Sequence, residues 1–574
     1  MRNTVITLLC ILSLGMLRAE ARSFYVALNG SNSSSGSITA PWRTIAYATS
    51  SSSGVTAGDT IHVRAGNYPE SVYPAVSGTL NNPIVVKNYL NESVNMNPGR
   101  FRFDSGINNW VIKGFSIMYS SSSGITVTGT HTGRIFVMNC TVSKHKENGF
   151  YLGNGFGGVG VYDCDVQYNG EWGGVQQSTE GTGIVMYGNS GTLWARRNLI
   201  ANNWAKGVSH ASAGTFNGDS TVFDSNLVIN NFESGLDFRA GDSYIRYNYF
   251  SRNGVRDPEP GEWGDKGLSC AGNSGNLIAY NVVKSSGSWE LDPRGSYSKY
   301  YNNTFIKDNY YNVVPGSPYS ATIIFWDGNP PGNEFKNNII MNLCSQPYHS
   351  QVVLAELWGR YDEQLWRNNL YWSPNSTAPS PYNRPFRLQG HSAGTYQTLA
   401  QVQANFPDQE IGSINAAPNF VSYADSNFHL AWGSPAIDAG TYVGFPYNGN
   451  APDCGRFEYS SGNRPPWITP VLLDYIMDED SYLGEVIEPF DPNRPAGSGW
   501  IWELEGLDLS GAGAPGAEVE GPMTLSLLPT QANEELLALV FPQEWSSANL
   551  AQARLSLHPA DPQAAGPTVL ITEP

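Results

Sequence analysis

The chain has 574 residues, 14% of them charged and 12% aromatic, with 61 glycines and a formal net charge of −17. It is too long for one ordinary core, which leaves several domains or a solenoid, and its turn-rich, charge-poor composition excludes a helical bundle. From Ser461 onward 17 acidic residues face only Arg464, Arg494 and Arg554, a net −14; the remainder is near neutral at −3 and offers no basic face for nucleic acid.

Residues 1–21 carry the marks of a secretory leader: Arg2, an apolar run from Val5 to Leu17, then Ala19-Glu20-Ala21 as a small-x-small cleavage site. Export to the periplasm or the medium is expected, with a mature start near Arg22. The run is too short for a transmembrane span and no later stretch approaches about 20 apolar residues, so no integral membrane segment is expected. Leu9 stands before Cys10 where a lipid-anchor signal wants a small residue. Without Cys10, five cysteines remain (Cys140, Cys164, Cys270, Cys344 and Cys454), an odd set that cannot all pair, so disulfides are not the framework.

In chain order, Phe24-Tyr25-Val26 predicts a short strand and Asn29 to Ser37 a loop. Pro41-Trp42-Arg43-Thr44-Ile45 then opens a short helix, and Gly58-Asp59-Thr60-Ile61-His62-Val63 gives a turn and an alternating strand, followed by Gly66-Asn67-Tyr68. This order resembles the opening of extracellular pectate-lyase-like β-helix proteins, in which the short helix caps the solenoid. A repeat follows, marked by Asn before a strand: Asn198, Asn226, Asn248, Asn281, Asn303, Asn338 and Asn369, at spacings of 28, 22, 33, 22, 35 and 31 residues. A three-strand rung with tight turns needs about 22 residues, so longer intervals carry loop insertions. Cys140 and Cys164 occupy the same slot in two earlier rungs and predict a stack of inward thiols, with an inter-rung disulfide as the less favoured alternative. Stacked Asn amides hydrogen-bond along the axis, a structural role.

The block from Ala417 to Tyr459, with Gly433-Ser434-Pro435-Ala436-Ile437-Asp438 and Asp453-Cys454-Gly455-Arg456, resembles the closing segment of the same family and predicts a buried thiol at Cys454. The expectation is thus an all-β chain: a right-handed parallel β-helix over 22–460 with an N-terminal capping helix, then an acidic, Pro-rich accessory region over 461–574, β-rich or partly disordered. Strands are expected there at Met523–Leu528, Leu536–Phe541 and Ala553–Leu557. A monomer is expected.

No phosphate-binding Gly loop, zinc-protease helix or Gly-x-Ser-x-Gly elbow is present, so chemistry must sit on the outer face of the rungs. Strands after each turn Gly align as Gly207 to Ala211, Gly235 to Arg239, Gly267 to Ala271 and Ser288 to Asp292. Alternation places Val208, Leu236, Leu268 and Trp289 inward, with an outward column of Ser209, Asp237, Ser269 and Glu290 beside one of Ala211, Arg239, Ala271 and Asp292. Asp237 and Glu290 would stand two rungs, roughly 9.6 Å, apart, compatible with an inverting carboxylate pair. Arg239, Lys266 and Arg294 are candidates to abstract a uronate C5 proton or bind its carboxylate. Glu262 and Asp265, in the insertion from Arg256 to Lys266, could bind Ca²⁺. Trp172, Trp204 and Trp263 could stack on sugars, His210 falls on the inward parity, and Asp237 with Arg239 or Asp292 with Arg294 could equally be plain ion pairs.

The resemblance implies a polysaccharide partner. The calcium cluster of one pectate-lyase group is matched only by Glu233-Ser234-Gly235-Leu236-Asp237, with one acid in register, and the polygalacturonase signature is missing. A lyase cleaving a uronate-containing polysaccharide is the leading expectation. An inverting hydrolase using Asp237 and Glu290, and a non-catalytic glycan-binding or adhesin-like surface, are the alternatives.

Overall fold

The computed structural model describes residues 21–172, 175–176, 181–187, 191–210, 221–254, 266–270, 274–308, 321–325, 331–344, 353–356, 360–374, 384–388 and 396–459. In the acidic tail it describes the strands 467–468, 483–487, 489–490, 500–505, 524–529, 535–540, 554–559 and 568–570. Residues 1–20 of the expected leader lie outside the described residues. No helix among those described is long and apolar enough to cross a membrane.

The first unit is a parallel β-helix. Among the described residues, three sheets of thirteen strands run its length. Sheet 1 starts at Ser23–Val26, sheet 2 at Gly66–Asn67 and sheet 3 at Ser71–Val72. A regular rung visits them in turn, as in Tyr244–Arg246, Tyr249–Ser251 and Lys266–Cys270. Pairing between rungs is parallel and in register, for example Phe223 with Ile245 and Val228 with Phe250, so each inward side chain stacks on its counterpart. Phe335 lies between Tyr300, at 4.5 Å, and Trp366, at 3.9 Å. Removing these columns from water is the main stabilising term of such a fold.

The turn from sheet 1 to sheet 2 explains the Asn column. It is two residues long, and its first residue (Arg197, Ser225, Tyr247, Tyr280, Asn302, Asn337 and Asn368 in successive rungs) is left-handed, with φ between 51 and 58°. That conformation costs an L-residue roughly 1–2 kcal/mol. The second residue is the ladder Asn, and its Nδ2 donates to the Oδ1 of the next at 2.9–3.1 Å from Asn198 to Asn369. Asn248 also gives Nδ2–H to Phe223 O and its backbone N–H to Asn281 Oδ1. Every turn is thereby tied to two others and the strain is offset. Cys140 and Cys164 are buried, without disulfides, and Cys164 N donates to Asn198 Oδ1.

A second ladder runs at the turn leaving sheet 2, through Asn169, Asn203, Asn231 and Asn253, again at 2.9 Å. The spacing Asn-x₄-Asn in 198/203, 226/231 and 248/253 was its unread signal.

The N-terminal cap is as expected. The helix Ile45–Ala48 starts at Thr44, whose hydroxyl accepts from Tyr47 N, and buries Ile45 and Ala48, while Trp42 is 2% exposed. At the other end, a helix the sequence did not announce, Leu399–Asn405, is closed by a Thr398/Gln401 capping box and puts Leu399 and Val402 into the solenoid core. The last parallel strand is Ile414–Asn415, and the two compact units divide between Ala417 and Pro418. The segment 418–459, expected to close the solenoid, therefore stands in the second unit. It holds an antiparallel hairpin, Phe420–Ser422 with Asn427–Leu430, and Cys454 is wholly buried. In the tail, Thr524–Pro529, Glu535–Val540 and Arg554–Pro559 are strands, in antiparallel sheets with Leu483–Ile487, Trp500–Glu505 and Thr568–Leu570.

Candidate active site

Insertions are confined to one sheet. From Arg196 to Leu370, all connections from sheet 1 to sheet 2 keep two residues. Connections into sheet 3 lengthen between Ser251 and Lys266, Lys307 and Ile323, Asn342 and Leu354, and Trp372 and Phe386. Connections out of it lengthen between His210 and Thr221, and between Phe325 and Glu334. The longer connections thus all begin or end at strands of sheet 3, whose outer face is the candidate site.

The register along that face differs from the sequence alignment at one rung. Ser209 pairs with Asp237 and Asp237 with Ser269, as expected, but Ser269 pairs with Asp292 and Lys266 with Trp289. Glu290 thus takes the slot of the turn glycine Gly267, and Asp292, not Glu290, shares the outward column with Asp237. Gly287-Ser288 was a false marker for the strand start. Trp289 leaves the main core and packs outside it with Ala321, Ile324 and Ala355.

Glu290 is wholly buried. It accepts from Ser286 N at 3.0 and 3.3 Å and lies 3.9 Å from Lys307 Nζ. Burial pushes its carboxyl up to about 7 against the pull of Lys307. Sealed under the turn from sheet 2 to sheet 3, it cannot face a substrate, and the proposed Asp237/Glu290 pair loses its geometry.

The other charged candidates form two copies of one arrangement. In the first, Lys206 Nζ lies 2.6 Å from Asp237 Oδ2 and Arg239 Nη2 4.0 Å from the same oxygen. In the second, Lys266 Nζ and Arg294 Nε both lie 2.7 Å from Asp292 Oδ2. Each lysine comes from the rung before its aspartate, and each arginine stands two residues beyond it, on the same outward parity. Burial alone would raise Asp237, but Lys206, Arg239 and Lys266 outweigh it and hold the carboxyl below its ordinary range. The side chain of Asp292 is 0% exposed and that of Asp237 13%, against 36% for Arg239 and 26% each for Lys206 and Arg294. The face thus presents cations held in place by sunken carboxylates. Such a surface suits an anion far better than it suits carboxylate catalysis.

Lys206 was missed. Its signal is a two-rung repeat in the sequence: Lys206-Gly207-Val208-Ser209 and Leu236-Asp237-Phe238-Arg239, then Lys266-Gly267-Leu268-Ser269 and Leu291-Asp292-Pro293-Arg294.

His210 is buried against Phe238, with Nδ1 accepting from Arg239 N, and burial pushes it down to about 3. It is a neutral core histidine, as its parity implied. Trp204 is half-buried and stacks on Phe232 at 4.4 Å. The backbone of Trp172 lies in a hairpin, Glu171–Trp172 with Val175–Gln176. Trp263, Glu262 and Asp265 lie outside the described residues. Among those described, no group of three or more His, Cys, Asp or Glu residues could hold a metal ion, and Asp237 and Asp292 are engaged by cations.

Comparisons with known proteins bear on this stretch. Residues 182–350, which carry both units, match the family model described as a right handed beta helix region. A 70-residue stretch is 40% identical to the uncharacterized protein YwoF of Bacillus subtilis (strain 168), covering 12% of this chain and only 14% of that protein. Among solved structures, pectate lyase Pel9A is similar over 76% of this chain and 96% of its own, with 18% identity and a TM-score of 0.44. A mannuronic acid specific family 6 polysaccharide lyase from human gut microbiota is similar over 69% and 92%, with 10% identity and a TM-score of 0.42. A lacto-N-biosidase from Eubacterium ramulus is similar over 68% of each chain, with 12% identity and a TM-score of 0.40. Sequence model and backbone agree on the architecture: the chain is a right-handed parallel β-helix protein.

Proposed function

We propose that the protein is an exported polysaccharide lyase that cleaves a uronate-containing polysaccharide by β-elimination on the outer face of sheet 3. The observation that carries this reading is the pairing of two cations on each sunken carboxylate, in one column of the outer face of sheet 3. In β-elimination the C5–H bond breaks, its electron pair forms the C4–C5 double bond, and the C4–O bond breaks with the leaving oxygen taking up a proton. The carboxylate on C5 gathers charge as the proton leaves, and a guanidinium against it stabilises that charge. Arg294 is the residue proposed for this role.

Lys266 is the proposed base. Arg294 shares Asp292 Oδ2 with it, so Asp292 keeps a cationic partner while Lys266 takes part in proton transfer. Trp289, 5.7 Å from Lys266 Nζ, with Ile324 and Ala355 forms an apolar flank that excludes water. Glu262 and Asp265 are the proposed Ca²⁺ ligands. Activity lost on chelation, restored by Ca²⁺ in the wild type and not in Glu262→Gln, supports that assignment.

Incubation with pectate, alginate and glycosaminoglycan panels should raise the ultraviolet absorbance of unsaturated uronate ends. No rise with any of them rejects the lyase. Retention of a polymer without turnover would instead mark the face as binding only, a reading that the engagement of Asp237 Oδ2 and Asp292 Oδ2 by cations also favours.

A further inference from the structure

We infer that the two Lys–Asp–Arg units act as a two-rung ruler for carboxylates on sugars i and i+2 of a glycan lying along the solenoid axis. The unit of Lys206, Asp237 and Arg239 is a binding subsite, and the unit of Lys266, Asp292 and Arg294 is where elimination takes place. This rests on the lyase reading for the second unit only; the ruler itself is a claim about binding.

The repeat is in the register. Asp237 and Asp292 occupy one outward column with Ser269 between them, and each is bracketed by a lysine from the preceding rung and an arginine two residues on. The intervening rungs offer Ser209 and Ser269, small and nearly buried. Each lysine stands on the serine rung and reaches the aspartate of the next, so the carboxylate-centred unit as a whole recurs every second rung, roughly 9.6 Å. The column of Ser209, Asp237, Ser269 and Asp292 runs along the axis, which favours a polymer lying parallel to it. A pyranose chain laid that way advances about one sugar per rung. In a ribbon whose successive sugars are turned over, sugars i and i+2 show the same side to the protein, which matches the two-rung period of the units.

The units differ where their roles should differ. Lys206 is 26% exposed and Lys266 12%, and among the described residues the apolar flank of Trp289, Ile324 and Ala355 adjoins the second unit, through Trp289 under Lys266 and the pairing of Leu291 with Ile323. An open cation pair serves binding; a largely covered amine beside apolar surface serves proton transfer. The substrate class follows: polymers with uronates in contiguous blocks or at strictly alternate positions, not neutral glycans with scattered uronates.

The test uses full-length Lys266→Arg, which keeps the charge on Asp292 but cannot serve as a base, with Lys266→Gln as a second background should the first fold poorly. Calorimetric titration with oligouronates of two, three and four sugars should show affinity rising at least about tenfold from two to three sugars, a step lost in the added Arg239→Ala change. In the otherwise wild-type enzyme Arg239→Ala should raise KM by a similar factor and leave kcat within about twofold. Equal affinity for two and three sugars, or a step that survives Arg239→Ala, overturns the ruler. A step without any unsaturated product from the wild type keeps the ruler and rejects the lyase; product without a step does the reverse.

Discussion

Between sheets 1 and 2 the chain turns in two residues from Arg197-Asn198 to Asn368-Asn369, with one strained backbone and one stacked amide each time. At the edges of sheet 3 connection length varies from rung to rung, the amide ladder of Asn169 to Asn253 notwithstanding, and on its outer face polar side chains pair as ions. Both regions repeat residues along the axis, so repetition by itself does not separate structure from function. Burial and satisfaction do. A ladder Asn has its donors and acceptors spent within the fold, whereas Lys206, Arg239 and Arg294 keep exposed surface toward whatever lies on sheet 3.

The sharpest way to break this division is Lys266→Arg. It should lower formation of unsaturated product by at least about 100-fold while the melting temperature hardly moves; retained turnover would remove Lys266 as the base. Glu290→Gln tests the opposite side. Its carboxyl is raised from 4.5 to about 7 by burial, so the folded state binds its proton more tightly than the unfolded one. The stability it contributes is full below about pH 4.5 and is lost as pH rises through about 7, by on the order of 3 kcal/mol. Urea unfolding of Glu290→Gln should lack that pH slope, with product formation unchanged.

Asn281→Ala removes the acceptor of Asn248 N and Nδ2 and should cost about 2–3 kcal/mol in the same assay, again with kcat/KM intact. A change in kcat/KM without loss of stability would contradict the structural role of the ladder. Smallest is Trp204→Ala, which should cost about 1 kcal/mol for the lost stack on Phe232 and leave turnover within about twofold. A large rise in KM would return Trp204 to the sugar-binding set.

Much of the fold was legible because its signals are local. Thr44 before Ile45–Ala48, the Asn before each sheet-2 strand and the three apolar runs of the tail each specify their own neighbourhood. The site was legible only in part. Asp237, Arg239, Lys266, Asp292 and Arg294 do gather on one face, but a strand of period two gives no warning when a turn loses its glycine. Glu290 in the slot of Gly267 shifted one rung by two residues, keeping its inward and outward faces while exchanging its partners. Lys206 precedes its strand, where alternation says nothing, and only its reach of 2.6 Å to the next rung reveals it.

The Asn ladder has a direction. Each Nδ2 points toward the next rung and each Oδ1 receives from the one before, so its two ends make different demands. The rung preceding Asn198 need supply only a backbone N–H, which Cys164 does, and a thiol is tolerated there. The rung following Asn369 must supply an oxygen, and Ser413 Oγ accepts from Asn369 N at 3.0 Å. A solenoid of this kind can be extended at its N-terminal end by almost any residue in the slot. At its C-terminal end, only a side chain that carries an acceptor can join the column.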